Sequence, residues 1–134
     1  MQHIRSVAIL GAGTMGTQIA AHIANAGLPV LLLDIDADTA AAGLKRAAAL
    51  KPDPFFTPAT QTQIRLGGFV QDLAAIANCD WIIEAVIERL DAKQALIQQV
   101  DRYRRSDAIV SSNTSGIPIG AIAEGKQADI VFLD

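Results

Sequence analysis

Cysteine is almost missing from this 134-residue chain. Cys79 stands alone, which excludes an intramolecular disulfide framework and a cysteine-rich zinc site, and no metal site is expected. Aromatic residues make up 4%, too few to build stacking platforms for single-stranded nucleic acid. Basic residues are not in excess either: 11 Lys and Arg face 14 Asp and Glu, and a net charge of −3 argues against a nucleic-acid partner. Apolar runs such as Val30–Leu33 and Trp81–Ile83 fall far short of the roughly 20 residues that cross a bilayer. The polar opening Met1-Gln2-His3-Ile4-Arg5-Ser6 leads into Val7-Ala8-Ile9-Leu10-Gly11, without the apolar stretch and small-residue cleavage site of a secretory signal. The expectation is a cytoplasmic protein with a reduced thiol and no membrane span.

What the chain does have is apolar content. Hydrophobic residues reach 51%, with 19% charged, enough to offset the entropy of ordering one domain. Val7–Leu10, Val30–Leu33 up to Asp34, Trp81–Val86, Ala108–Ser111 and Ile130–Leu133 read as strands buried on both faces. Between them, Thr14–Ala26, Ala37–Leu50 and Leu90–Arg104 read as helices. The first carries Met15, Ile19 and Ile23 every four residues, with Gly16 and Ala20 beside them; the last carries Leu96, Ile97, Val100 and Tyr103 on one side. Lys51–Gly68, with Pro52, Pro54, Pro58 and Gly67-Gly68, reads mostly as loop, with a short helix at Thr60–Arg65. Phe69-Val70 reads as a small strand, Asp72–Ala77 as a short helix and Ile117–Ala123 as helical. Alternating strands and helices predict an α/β fold: a doubly wound, mostly parallel sheet with helices on both faces. Ligands of such sheets bind outside the carboxyl ends of the strands.

One of those ends carries Gly11-Ala12-Gly13-Thr14-Met15-Gly16, a G-x-G-x-x-G turn between a strand and a helix. Gly11 permits a tight turn, Gly13 lets a pyrophosphate approach the backbone, and Gly16 lets the helix lie close to the first strand. Helix N-terminal N–H groups then face the phosphate charge. Asp34 ends the second strand, eighteen residues beyond Gly16, where a carboxylate accepts hydrogen bonds from an adenosine ribose. No Arg or Lys stands in Ile35–Asp38 to meet a 2′-phosphate, so NAD is favoured over NADP. The simpler alternative is that Asp34 only caps the next helix.

Two further segments point to a family. Glu84-Ala85-Val86-Ile87-Glu88-Arg89-Leu90-Asp91-Ala92-Lys93 resembles the E-A-V-x-E-x-x-x-x-K stretch of L-3-hydroxyacyl-CoA dehydrogenases of the bacterial, fatty-acid β-oxidation type. Ser112-Asn113-Thr114-Ser115 resembles their S-N-T-S signature. With the glycine turn, the likeness covers essentially the whole chain. It implies a Rossmann-type NAD-binding domain that serves oxidation of L-3-hydroxyacyl-CoA to 3-oxoacyl-CoA by hydride transfer to NAD. It further implies that Gly11, Gly13, Thr14, Met15 and Gly16 lie against the dinucleotide and that Asp34 holds the adenosine ribose. Ala85, Val86 and Glu88 would line the cofactor's path at the fourth strand end, and Lys93 would reach back to the same region from the helix that follows. Asn113 and Ser115 would sit by the nicotinamide and support catalysis, Ser115 offering its hydroxyl to the substrate oxygen. By spacing alone, Glu88 and Lys93 are not ideal helix partners, Lys93 also suits a solvated surface, and Asn113 and Ser115 are ordinary capping types.

Oxidation of an alcohol also needs a base, and the chain offers only His3 and His22. His3 precedes the first strand and His22 lies along the first helix, so both are read as structural or surface residues. In the resembled family the catalytic histidine follows S-N-T-S by about twenty residues. The expectation is therefore a cofactor domain over 1–134 whose whole enzyme continues into a helical domain, completes the acyl-CoA cleft and forms a homodimer, while the chain alone binds cofactor without turnover. Two other readings stay open: a β-hydroxyacid dehydrogenase of another family, and a dinucleotide-binding module without chemistry.

Overall fold

The computed structural model describes residues 4–50, 58–86, 90–113 and 130–133. Six parallel strands form one sheet: β1 (Val7–Leu10), β2 (Val30–Asp34), β3 (Ile64–Gly68), β4 (Trp81–Glu84), β5 (Ile109–Asn113) and β6 (Ile130–Leu133). Their order is β3-β2-β1-β4-β5-β6. The helices are α1 (Thr14–Asn25), α2 (Ala37–Ala48), the single turn α3 (Phe69–Asp72) and α4 (Leu90–Tyr103). Short 3₁₀ segments cover Pro58–Gln63 and Leu73–Asn78.

The alternation of strand side chains builds two cores. Val7, Ile9, Val30, Leu32, Ile64 and Ile83 meet Ala20, Ala21, Ile23 and Ala24 of α1 and Ala40, Leu44 and Ala47 of α2. On the opposite face Ala8, Leu10, Leu31, Leu33, Ile82 and Val110 meet Leu96, Ile97 and Val100 of α4, with Leu73 and Ile76. Each large aliphatic side chain removed from water in this way contributes about 1.5–3 kcal/mol. The small residues of α1 and α2 let both helices sit close to the sheet.

The fold class is as expected, and several details differ. The stretch read as loop and short helix contains β3, an edge strand pairing Ile64 with Val30 through to Gly68 with Asp34. Its paired glycines and exposed Arg65 hid an Ile64/Leu66 alternation. Phe69-Val70 belongs to a helical turn instead of a strand, begun where the Gly68 N–H donates to Asp72 Oδ2 at 2.9 Å. Met15 is 48% exposed and Tyr103 is also exposed, so neither lies on its helix's buried stripe. Thr17, Ala21 and Ala24 of α1 are buried where the expected stripe named Met15. The helix expected over Ile117–Ala123 lies outside the described residues. Among the described residues no helix is long and apolar enough to cross a membrane.

At the amino ends of the strands, Asp80 fastens β4 to the chain entering β1. Its Oδ2 accepts the backbone N–H groups of Arg5 (2.7 Å) and Ser6 (3.2 Å), while Oδ1 pairs with the Arg105 guanidinium. The Arg105 bond, first, and then these N–H groups hold the Asp80 carboxyl below the usual carboxylate range. Cys79 beside it is buried, and burial pushes its thiol pKa up.

Candidate cofactor site

Strand order reverses between β1 and β4, where two crossovers leave in opposite directions and open a crevice at the carboxyl ends. Gly11 leaves β1 with φ +115°, a conformation L side chains rarely adopt. A Cβ on it would lie 2.9 Å from the backbone of Ala85 at the end of β4. Ala85 in turn donates its N–H to the Leu10 carbonyl at 2.8 Å, so the turn is built on both strands. At Gly16 a Cβ would meet the Gly11 carbonyl oxygen at 1.8 Å, which makes that glycine a packing requirement. Gly13 differs: a Cβ there meets nothing within 4 Å. Its space is open on the protein side, as a ligand approaching the backbone requires.

Gly13 is the N-cap of α1, no side chain caps it, and the first turn holds no acidic residue. Such a terminus presents N–H groups and the positive end of the helix dipole to an anion. Thr14 is exposed at the first helical position. Thr17 steadies the turn from within, its hydroxyl donating to the Gly13 carbonyl at 2.8 Å. By contrast α2 is closed by Asp36, whose Oδ1 accepts the Thr39 N–H at 2.7 Å. That bond, first among its causes, lowers the Asp36 pKa.

Asp36 therefore takes the capping role considered for Asp34. The Asp34 carboxylate turns to the glycine turn: Oδ2 accepts the Ala12 N–H and Oδ1 the Ile35 N–H, each at 2.7 Å. Asp34 also borders a cleft of about 440 Å³ with Ile35, Phe69, Val70, Val86, Ala95, Leu96 and Gln99. Val70 is 94% exposed on its rim. A mostly apolar slot with a carboxylate at its edge suits the flat base and ribose of an adenosine.

Of the β4 residues, Ala85 is buried against Gly11 and Val86 lines the cleft. Lys93 does come back to the end of β4 from α4, but onto Glu84: its ammonium lies 3.0 Å from both carboxylate oxygens, and its side chain is 3% exposed. The solvated-surface alternative for Lys93 is thereby set aside. Asn113 ends β5, in register with Leu133 of β6. Glu88 and Ser115 lie outside the described residues, as does His3; His22 is exposed on α1.

Three residues were given no role by sequence reasoning. Gly43 of α2 is needed because a Cβ there would fall 2.1 Å from the Ala12 carbonyl oxygen. Glu84 and Ser112 form a buried hydrogen-bonded pair at 2.6 Å. The signals were present: a carboxylate ending an otherwise apolar strand needs a partner, and Lys93 falls on the same helical stripe as Leu96, Ile97 and Val100.

The strand order, the open glycine at an uncapped helix start and the carboxylate at the end of β2 together define a dinucleotide-binding domain. The family model for the NAD-binding domain of 3-hydroxyacyl-CoA dehydrogenase matches residues 6–132, and the chain belongs to that family. A probable 3-hydroxyacyl-CoA dehydrogenase of Deinococcus radiodurans is 42% identical over 133 residues, covering 94% of this chain and 38% of that protein. A probable 3-hydroxyacyl-CoA dehydrogenase of Bacillus subtilis is 39% identical, covering 96% of this chain and 19% of that protein. Among solved structures, a 3-hydroxybutyryl-CoA dehydrogenase of Escherichia coli superposes with a TM-score of 0.82 at 30% identity, covering 98% of this chain and 29% of that one. The chain thus spans well under half the length of these relatives.

Proposed function

We propose that this chain is the cofactor-holding part of an enzyme that oxidises L-3-hydroxyacyl-CoA to 3-oxoacyl-CoA in fatty-acid β-oxidation. The observation that carries the cofactor half is the carboxylate of Asp34, bound to the glycine turn instead of capping α2. Asp34 would receive the adenosine ribose, and the N–H groups at Gly13, Thr14 and Met15 the pyrophosphate, with Gly11 and Gly16 giving the turn its shape. Bound NAD supplies the hydride-accepting chemistry. Val86 and Glu88 would border its path, while Ala85, packed against Gly11, and Lys93, buried on Glu84, stand behind that wall. By the likeness to the family, Asn113 and Ser115 would serve the nicotinamide side, Ser115 offering its hydroxyl to the substrate oxygen.

Neither histidine is assigned the base. His22 is exposed in the last turn of α1, at the other end of the helix from the glycine turn, and His3 precedes β1 in sequence. The substrate cleft, the base and homodimer formation are assigned to the rest of the whole protein, by the likeness to the family. The 134-residue chain should therefore bind NADH yet not reduce acetoacetyl-CoA, since general acid–base assistance alone is worth about 10²–10⁴-fold in rate. Calorimetric titration and an NADH-absorbance assay test both halves, beside the chain extended through a helical domain. Turnover by the short chain equal to the extended one would show the base to be misplaced. No turnover by either would sink the hydroxyacyl-CoA assignment and leave a dinucleotide-binding module.

A further inference from the structure

The Glu84 carboxylate has no exposed surface, yet three other parts of the chain donate to it. Lys93 of α4 donates to both oxygens, the Ser112 hydroxyl of β5 donates to Oε1 at 2.6 Å, and the Val86 N–H donates to Oε2. Among the described residues, no buried side-chain nitrogen or oxygen is left without a partner. Stability alone does not account for this arrangement. A buried ion pair gains little over apolar residues of equal volume, because desolvation cancels most of the attraction. Ile82, Leu96 and Ile97, in the apolar core on the same α4 face, show that an apolar filling was within reach.

What an apolar filling cannot do is fix directions. A charge-assisted, two-oxygen contact holds its partners in one geometry. Glu84 stands opposite Leu10 of β1 and opposite Ser112 of β5 in the sheet register. On one side it holds Val86, a wall of the cleft beside Asp34. On the other it holds Ser112, next to Asn113 at the end of β5. A dinucleotide laid across the crevice has its adenosine on the first side and its nicotinamide on the second.

We propose that Glu84, acting with Ser112, is a positioning residue that sets the two walls of the cofactor crevice relative to each other. The proposal rests on the cofactor reading above. Two variants of the 134-residue chain test it: the pair replacement E84M/K93M, which leaves no lone buried charge, and S112A, which keeps the ion pair. Each is compared with wild type for urea midpoint and for NADH and ADP-ribose affinity by fluorescence and calorimetry. E84M/K93M should match or exceed the wild-type urea midpoint while its NADH Kd rises about tenfold, since small misplacements of a binding wall are costly. S112A should raise the NADH Kd about fivefold, the worth of one hydrogen bond, and leave the ADP-ribose Kd within about twofold, because Val86 is still held.

NADH binding by E84M/K93M equal to wild type would overturn the proposal. So would equal losses of both ligands in S112A, or none; and S112A decides if the pair variant does not fold. Failure of the wild-type chain to bind either ligand would instead remove the cofactor reading, and this proposal with it.

Discussion

The carboxylate of Asp34, at the end of β2, accepts the backbone N–H of Ala12 at 2.7 Å across the crossover formed by α1. The residue that would read the ribose thereby also holds the turn that would receive the pyrophosphate. Asp34→Ala removes both at once. The chain should bind NADH more tightly than NADPH, since Asp36 and Asp38 add negative charge beside Asp34. Asp34→Ala should weaken NADH by about 1.5–3 kcal/mol and narrow the preference. Calorimetric titration with both cofactors checks this; equal or tighter NADPH binding by wild type would contradict it.

The glycines of the turn should separate fold from binding. Gly13→Val projects into open space, so circular dichroism and the urea midpoint should stay near wild type while NADH binding is lost. Gly16→Val drives a side chain into the Gly11 carbonyl, where even a Cβ would stand at 1.8 Å. That variant should lose stability before any question of cofactor arises. Unchanged NADH binding by Gly13→Val would mean that the open space is not where the dinucleotide lies.

Gly43→Ala tests a close approach between α2 and the turn. Its Cβ would fall 2.1 Å from the Ala12 oxygen, so either α2 or the turn must move. Overpacking of this kind costs about 1–3 kcal/mol. Urea denaturation should register that loss, and NADH titration a weaker affinity than the stability loss alone explains. A fully wild-type profile would show that the helix can retreat freely.

Acid should loosen the far end of the sheet. The Asp80 carboxyl sits below its ordinary value in the folded chain, so folding favours its ionised form. Its contribution is in place above the unfolded carboxylate value of about 4 and is lost as pH falls through the lower folded value. Asp80→Asn should reduce stability at neutral pH and flatten the decline below about pH 4. Urea midpoints across that range, for both proteins, provide the check; parallel curves would assign the acid sensitivity elsewhere.

Much of the site was legible because backbone chemistry leaves few choices. A positive φ at Gly11 and a helix pressed onto the turn at Gly16 call for glycine, and the strand that ends at Asp34 is apolar throughout. The edge strand β3 was not legible: only one side of it is paired, and Gly67-Gly68 reads locally as a turn. Gly43 was not legible either, because the atom that demands it, the Ala12 oxygen, lies 31 residues away in sequence. Lys93 was legible as a residue that returns to the end of β4, while its partner was not. Glu84, nine positions back, becomes its neighbour only once α4 packs on the sheet.

The meeting of Gly11 with Ala85 sets a condition on when this protein can first hold a ligand. β1 pairs with β2 at Val7 and Val30, a short chain closure, but with β4 at Val7 and Trp81, 74 residues on. Closing so long a loop is entropically expensive and slow relative to local contacts. A chain emerging from the ribosome can form β1, α1 and β2 early, with Asp34 already against Ala12. The turn still lacks its second wall until Ala85 arrives, so cofactor capture should be a late event that reports completion of the sheet.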